Sequence, residues 1–139
     1  MKNIFLENKN TFEEFIKKDN NVVAVYLFGS YADNTFNEKS DIDIAVLYKD
    51  NNLDVHLKNQ VEAEKIFNNI SIDYINLNDA GLFFKFSILK KGKLIYLNEK
   101  YSKYFYEEYL RKIQDNYIEM SYSKKKYDDY ILNHSSLEG

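Results

Sequence analysis

The 139-residue sequence has no cysteine and no proline, and it has no run of eighteen or more apolar residues. The absence of cysteine excludes disulfides, zinc thiolates and a cysteine nucleophile. Without a long apolar run, no transmembrane helix is predicted. Residues 1–4 also lack the apolar core and small-residue cleavage site of a signal peptide. Together these features predict a cytoplasmic protein without membrane association.

Excess positive charge is also missing, because the formal net charge is −3. Affinity for nucleic acid depends mainly on contacts with phosphate, so general nucleic-acid-binding domains are usually basic. The acidic balance therefore argues against such a domain. Lysines cluster at residues 90–93 and 124–126, and short charged runs of this kind are typical of a solvated turn or helix face. The length predicts a single domain over residues 1–133, followed by a disordered tail over residues 134–139.

Short apolar runs alternate with helical patterns along the chain. Residues 22–28 are nearly all apolar and predict a strand buried on both faces. Further strands are predicted at residues 41–48, 70–75 and 93–97. Helices are predicted from the capping box Thr11–Glu14 to about residue 19, after residue 53, over residues 78–89, and from residue 98 to about residue 132. The fold class is α/β (α+β): a small mixed sheet of about four strands flanked by helices, with a long C-terminal helix.

Three aspartates lie on predicted strands. Asp41 and Asp43 stand two residues apart, so their side chains point to the same face, with the α-carbons roughly 7 Å apart. Two carboxylates held side by side repel each other, and a divalent cation between them removes that repulsion. Asp73 on the third strand can complete the cluster. Oxygen ligands of this kind suit magnesium, which also binds substrate phosphates.

A glycine–serine pair ends the first strand, ten residues before Asp41. Gly29 allows the backbone to approach a phosphate closely. The backbone amides and the Ser30 hydroxyl at a strand-to-helix turn can bind an anion. An anion site facing a carboxylate cluster is what metal-assisted phosphoryl or nucleotidyl transfer requires. Each element is common alone, but their joint spacing favours catalysis over coincidence.

These residues resemble the signature of the DNA polymerase beta-like nucleotidyltransferase superfamily. The short chain and the run from Ser40 to Ile44 are most similar to the minimal nucleotidyltransferases of the MNT or MntA type, over about the first hundred residues. The resemblance implies that Asp41 and Asp43 are ligands of two Mg²⁺ ions and that Gly29 and Ser30 hold the β- and γ-phosphates of ATP. Asp73 would be a third metal ligand that helps deprotonate the attacking hydroxyl.

The resemblance also implies a partner. Minimal nucleotidyltransferases of this size pair with a HEPN-domain ribonuclease toxin, and they act as its antitoxin by transferring AMP from ATP to a tyrosine hydroxyl of the toxin. One departure concerns Asp33 and Asn34, which stand where many relatives have a basic residue and a glycine. Asparagine can replace glycine in a left-handed turn, but the positive charge is lost.

Two other functions stay open on the sequence alone. One is nucleotidylation of an antibiotic or another small molecule, although such enzymes usually need a further domain for the acceptor. The other is a non-catalytic module that neutralises its partner by occlusion. His56 and His134 have no ligand spacing and are predicted to be surface residues. The tyrosine-rich last helix suits core packing and partner contact equally well.

Overall fold

The computed structural model describes residues 2–135 of the chain. The strands are β1 (Val22–Phe28), β2 (Ile42–Tyr48), β3 (Ile72–Asn76) and β4 (Lys93–Leu97). The α-helices are α1 (Ile4–Lys17), α2 (Ser30–Asp33), α3 (Leu53–Ile66), α4 (Leu82–Lys91) and α5 (Glu107–Ser135). Over the described residues this confirms the predicted mixed sheet flanked by helices.

The strands form a single sheet in the order β3-β2-β1-β4 within the described residues. The central strand β1 runs antiparallel to both β2 and β4, whereas β2 and β3 run parallel. The two central strands are buried on both faces because nearly all of their side chains are apolar. The sheet is therefore covered by helices on either side.

Side chains alternate along β1 and β2, and they define two apolar clusters. Val25 and Ile44 face the side covered by α1 and α3, where the rings of Phe5, Phe12 and Phe67 are buried. Tyr26 and Ala45 face the side covered by α4 and the start of the long C-terminal helix. Because side chains at alternate positions share a face, Phe28 and Asp43 point to this second side, which we call the α4/α5 face.

The predicted start of the first helix was wrong. Helix α1 begins at Ile4, and Thr11 lies in its interior. Asn3 is the N-cap, because its side-chain oxygen accepts a hydrogen bond from the backbone N–H of Leu6 at 3.0 Å. The helix starts earlier because Phe5 belongs to the same buried stripe as Phe12, and one helix must carry both.

The predicted helix over residues 78–89 is interrupted. A 3₁₀ turn covers Leu77–Asp79, Ala80 is extended, and α4 starts only at Leu82.

The long C-terminal helix is confirmed, but it begins with a 3₁₀ turn (Glu99–Tyr101) and a π-helical segment (Ser102–Tyr106). It includes the first two positions of the predicted tail, and residues 136–139 lie outside the described residues. Across residues 2–135, no helix is long and apolar enough to cross a bilayer.

His56 is buried, so its prediction as a surface residue was wrong. Its Nδ1 lies 2.7 Å from the hydroxyl of Tyr48, and its Nε2 lies 3.0 Å from the backbone oxygen of Tyr74. The carbonyl can only accept, so Nε2–H donates and the Tyr48 hydroxyl donates to Nδ1. Burial lowers the pKa of His56. The histidine links α3 to the sheet as a neutral side chain and is separate from the aspartates.

Candidate active site

The turn after β1 is built around Gly29. Its φ of 70° and ψ of −154° are easily reached only by glycine. The Gly29 carbonyl then accepts hydrogen bonds from the backbone N–H groups of Ala32 and Asp33 at 3.1 and 3.2 Å. The chain therefore turns sharply out of the sheet, and the Gly29–Ser30 backbone lies at the edge where β1 ends.

Gly29 also touches the predicted metal-binding strand. A Cβ atom at this position would overlap with Oδ2 of Asp43 and would lie 3.0 Å from its Cγ. The register explains this approach, because Phe28 is the Cα partner of Asp43. The sequence predicted that Gly29 is needed for a close approach, but it did not predict that the neighbour is a carboxylate of the protein itself.

The three predicted aspartates lie on one face at the same end of the sheet. Asp43 is the Cα partner of Asp73 in the parallel pair of β2 and β3. Asp41 immediately precedes β2, and its offset of two residues from Asp43 puts it on the same side. Asp41 and Asp73 are exposed, whereas Asp43 is half-buried. The sheet therefore brings together all three residues that the sequence singled out.

The electrostatics of Asp43 reflect this crowding. Partial burial, followed by the negative charges of Asp73 and Asp41, raises the pKa of Asp43 to about 6. Burial disfavours the charged carboxylate, and like charges nearby add to that effect. A raised carboxylate pKa inside a cluster of like charge is typical of functional sites.

The three carboxylates do not form a closed metal cage by themselves. Among residues 2–135, no three His, Cys, Asp or Glu side chains are grouped so that they could hold a metal ion. Magnesium is commonly bound through one or two carboxylates plus substrate phosphates and water, rather than by an all-protein cage. The donor set at Asp41 and Asp43 fits that mode of binding. Their assignment as ligands, and that of Asp73, stays a prediction.

The loop between α2 and β2 is held by its own side chains. Asn34 has a φ of 60°, which confirms that asparagine takes the left-handed turn position. Ser40 Oγ accepts from the backbone N–H of Asn37 at 2.8 Å, and the Ser40 N–H donates to the Asn37 carbonyl at 3.1 Å. This turn ends directly before Asp41. Local hydrogen bonds therefore fix the course of the chain that leads into the aspartates.

One residue beside this site was not predicted from the sequence. The ring of Phe84 on α4 stands edge-on against the ring of Phe28, with centroids 5.9 Å apart. It is 43% exposed, so much of the ring is open to solvent beside the partner strand of Asp43. The only signal in the sequence was the pair Phe83–Phe84 near the start of a predicted helix, and nothing in that pattern placed it near the aspartates.

A sequence comparison with protein families agrees with this geometry. The model of the family "Polymerase beta, Nucleotidyltransferase" matches residues 10–101, which is most of the chain and includes all five predicted site residues. The chain belongs to this family. It is therefore a nucleotidyltransferase, as predicted from the Gly29–Ser30 and Asp41–Asp43 motifs. No curated protein matches the chain in sequence.

Solved structures of toxin–antitoxin systems share the whole fold. A toxin–antitoxin structure with AMP-PNP superimposes with a TM-score of 0.68 at 20% identity, over 90% of this chain and 98% of that chain. The toxin–antitoxin MntA–HepT gives 0.65 at 19% identity, over 91% and 98%. A tri-AMPylated Shewanella oneidensis HEPN toxin in complex with MNT antitoxin gives 0.64 at 18%, over 94% and 99%.

The first prediction concerns Gly29. We expect Gly29→Ala to lower the free energy of unfolding by at least about 2 kcal/mol, because alanine is strained at this φ and its Cβ collides with Asp43. Binding of ATP with Mg²⁺ should be lost as well, since the carboxylate must move. Gly81→Ala is the matched control, because its Cβ meets nothing within 4 Å. Denaturant unfolding and calorimetric titration measure both effects. A Gly29→Ala variant with wild-type stability and ATP affinity would contradict this account.

The second prediction concerns the charge of Asp43. In metal-free protein we expect Asp43→Asn to stabilise the fold at pH 7 by on the order of 1 kcal/mol, allowing for solvent screening of a half-buried group. Its pKa is raised to about 6, so the wild type loses stability as pH rises from about 4, the unfolded value, through 6. The two proteins should converge below about pH 4. Added Mg²⁺ should stabilise only the wild type in thermal unfolding. A destabilised Asp43→Asn variant at pH 7 would show that burial of Asp43 and its repulsion by Asp73 and Asp41 do not destabilise the fold.

Proposed function

We propose that this nucleotidyltransferase transfers AMP from ATP to a tyrosine hydroxyl of a HEPN-type ribonuclease toxin and acts as its antitoxin. The observation that carries the proposal is the contact between the Gly29 turn and the Asp43 carboxylate, beside Asp41 and Asp73. This contact puts a phosphate-binding backbone next to a set of oxygen ligands. Such an arrangement suits a metal-chelated triphosphate.

Each residue of the site has a distinct role in this proposal. The backbone at Gly29 and the Ser30 hydroxyl hold the β- and γ-phosphates. Asp41 and Asp43 would hold two Mg²⁺ ions, and Asp73 would be the third carboxylate of the set. The bound cations supply charge neutralisation at the phosphates and orient the reacting oxygens. Burial, followed by the negative charges of Asp73 and Asp41, raises the pKa of Asp43, and bound cations would offset those charges.

The reaction is an in-line displacement at the α-phosphorus of ATP. The hydroxyl oxygen of the acceptor tyrosine forms a bond to the α-phosphorus, and the bond from that phosphorus to the oxygen bridging to the β-phosphate breaks. Asp73 accepts the hydroxyl proton, and pyrophosphate leaves with the electron pair of the broken bond. Asp73 is exposed at the edge of the cluster, so an acceptor on another protein can reach it. The product is AMP joined to the tyrosine oxygen.

The choice of a toxin as acceptor rests on the structural neighbours. They include a tri-AMPylated HEPN toxin in complex with MNT antitoxin. The present chain covers 99% of the matched chain in that structure, with a TM-score of 0.64. The acceptor has to bring its hydroxyl group to Asp73, which is exposed at the edge of the cluster. A protein partner meets this requirement, and neutralisation by occlusion alone is an outcome of the following test.

The third prediction is label transfer. With α-labelled ATP and Mg²⁺, we expect label on the HEPN-type protein encoded beside this gene, and none with Asp41→Ala/Asp43→Ala. Replacing the acceptor tyrosines of the partner by phenylalanine should also abolish labelling. The Gly81→Ala variant, whose added Cβ meets nothing within 4 Å, should label the partner at the wild-type rate. Neutralisation of the toxin without any label would support occlusion and contradict the proposed reaction.

The fourth prediction concerns the nucleobase. We expect the adenine of ATP to lie against the exposed ring of Phe84, because this ring flanks the strand next to Asp43. Base–aromatic stacking contributes about 1–3 kcal/mol, so Phe84→Ala should raise the dissociation constant of ATP about tenfold. Binding of inorganic tripolyphosphate should not change. Phe83→Ala is the control, since Phe83 is similarly exposed and its ring contacts Tyr117 instead. An equal loss for both ligands would indicate a distorted phosphate site and contradict base stacking.

A further inference from the structure

A cavity lies at the opposite end of the sheet from the aspartates. Its volume is about 460 Å³, within the range of small-molecule sites. One wall follows the end of β2, and the other is the irregular start of the long C-terminal helix. The residues lining it are Lys49, Lys100, Tyr101, Tyr104, Phe105, Glu108, Tyr109 and Lys112. Its surface is therefore mainly apolar and is formed by aromatic rings and the side chains of three lysines.

Two of the three lysines of this cavity lie over ring faces rather than against carboxylates. The ammonium of Lys49 lies 5.1 Å from the ring centroid of Phe105, and that of Lys100 lies 5.5 Å from the ring of Tyr101. In the part of the chain that the structure describes, no carboxylate oxygen lies within 4 Å of the ammonium groups of Lys49, Lys100 or Lys112. Their positive charge is thus available to an anion.

The one acid in the lining is already compensated. Glu108 Oε1 lies 2.5 Å from Nη2 of Arg111, and Oε2 accepts a second hydrogen bond from Arg111 Nε at 3.2 Å. These hydrogen bonds lower the pKa of Glu108. The carboxylate is therefore turned to a cation of its own helix, and the cavity keeps an excess of positive charge.

The walls of the cavity are anchored to the sheet. The backbone N–H of Lys49 donates to the Asn21 carbonyl at 2.8 Å, and that of Lys100 donates to Asn98 Oδ1 at 3.0 Å. Tyr106 is buried and shares a hydrogen bond with the hydroxyl of Tyr26, which sets the rotation of the π-helical segment. π-Helical turns occur frequently at functional sites.

Tyr104 in the π-helical segment is 88% exposed and lies at the rim of the cavity. Rings that are exposed beside fixed cations suit a ligand with a flat aromatic part and a negative charge. We propose that this cavity is a second nucleotide site, in which phosphate binds Lys49, Lys100 and Lys112 and the base stacks on Tyr104. A nucleotide combines both chemical features within the available volume.

The second site is separate from the catalytic one. Lys49 follows the end of β2, whereas Asp43 lies near its beginning. Six residues of strand span about 20 Å, so one nucleotide cannot occupy both places. A nucleotide bound here contacts the base of the long C-terminal helix, so it is positioned to act on that helix and not on the phosphates at Gly29.

The test uses the full chain with its catalytic site disabled. In Asp41→Ala/Asp43→Ala protein, calorimetric titration with AMP should show one site, and the amide resonances of residues 101–105 should shift. Adding Lys49→Ala/Lys100→Ala should weaken AMP binding roughly tenfold, since two exposed charge contacts are removed. Adding Tyr104→Ala, which removes an exposed ring, should weaken AMP but leave inorganic phosphate unchanged. Lys17→Ala/Lys18→Ala on α1 is the control with the same loss of charge.

Several results would contradict the proposal of a second nucleotide site. They are no AMP binding at millimolar concentration, an equal loss in the Lys17→Ala/Lys18→Ala control, and resonance shifts confined to other regions. Failure of the second-site proposal can be distinguished from failure of the proposed transferase reaction. Complete loss of nucleotide binding in Asp41→Ala/Asp43→Ala overturns the second site and leaves the transferase proposal standing. Unchanged ATP stoichiometry in that variant, with binding lost on Lys49→Ala/Lys100→Ala, supports the second site and contradicts the catalytic assignment.

Discussion

The register between β1 and β2 is the constraint on which the site depends. It places Phe28 opposite Asp43, so the chain leaving β1 at Gly29 passes directly over that carboxylate. A slip of one residue would turn Asp41 and Asp43 to the opposite face of the sheet. Such a slip is prevented by the core, because it would also expose Ile42 and Ile44, which are fully buried. The apolar pattern that stabilises the sheet therefore also positions the carboxylates.

The site itself destabilises the free protein, and the stabilising contacts lie elsewhere. The raised pKa of Asp43 means that its charge is disfavoured in the folded state. On the other face of the sheet, the rings of Phe5, Phe12 and Phe67 form an apolar cluster with centroids 5.2–5.7 Å apart. Active sites often retain such unfavourable charge because function requires it. A cation that neutralises the carboxylates would couple substrate binding to stability.

Much of this fold and site could be predicted because the signals are local. Apolar runs identified the strands, and the spacing from Gly29 to Asp43 identified the turn and the aspartates. What failed depended on tertiary partners. His56 was predicted on the surface, and its burial requires Tyr48 and the Tyr74 carbonyl from two neighbouring strands. Phe84 was missed because its place beside Phe28 follows from how α4 crosses the sheet, which no spacing in the sequence encodes.

Asparagine side chains explain why the end of the sheet opposite the aspartates differs from the catalytic end. The Asn78 side chain pairs with both the N–H and the carbonyl of Tyr48, and Asn21 pairs in the same way with Asp50. Each amide offers a donor and an acceptor, so it can close a strand end without a further strand. At the end with the aspartates, no such side-chain amide of the described residues is present at Gly29, whose carbonyl is instead bonded by the N–H groups of Ala32 and Asp33. One end of the sheet is thus closed by side-chain amides on either side of Lys49, while Gly29 at the other end is exposed.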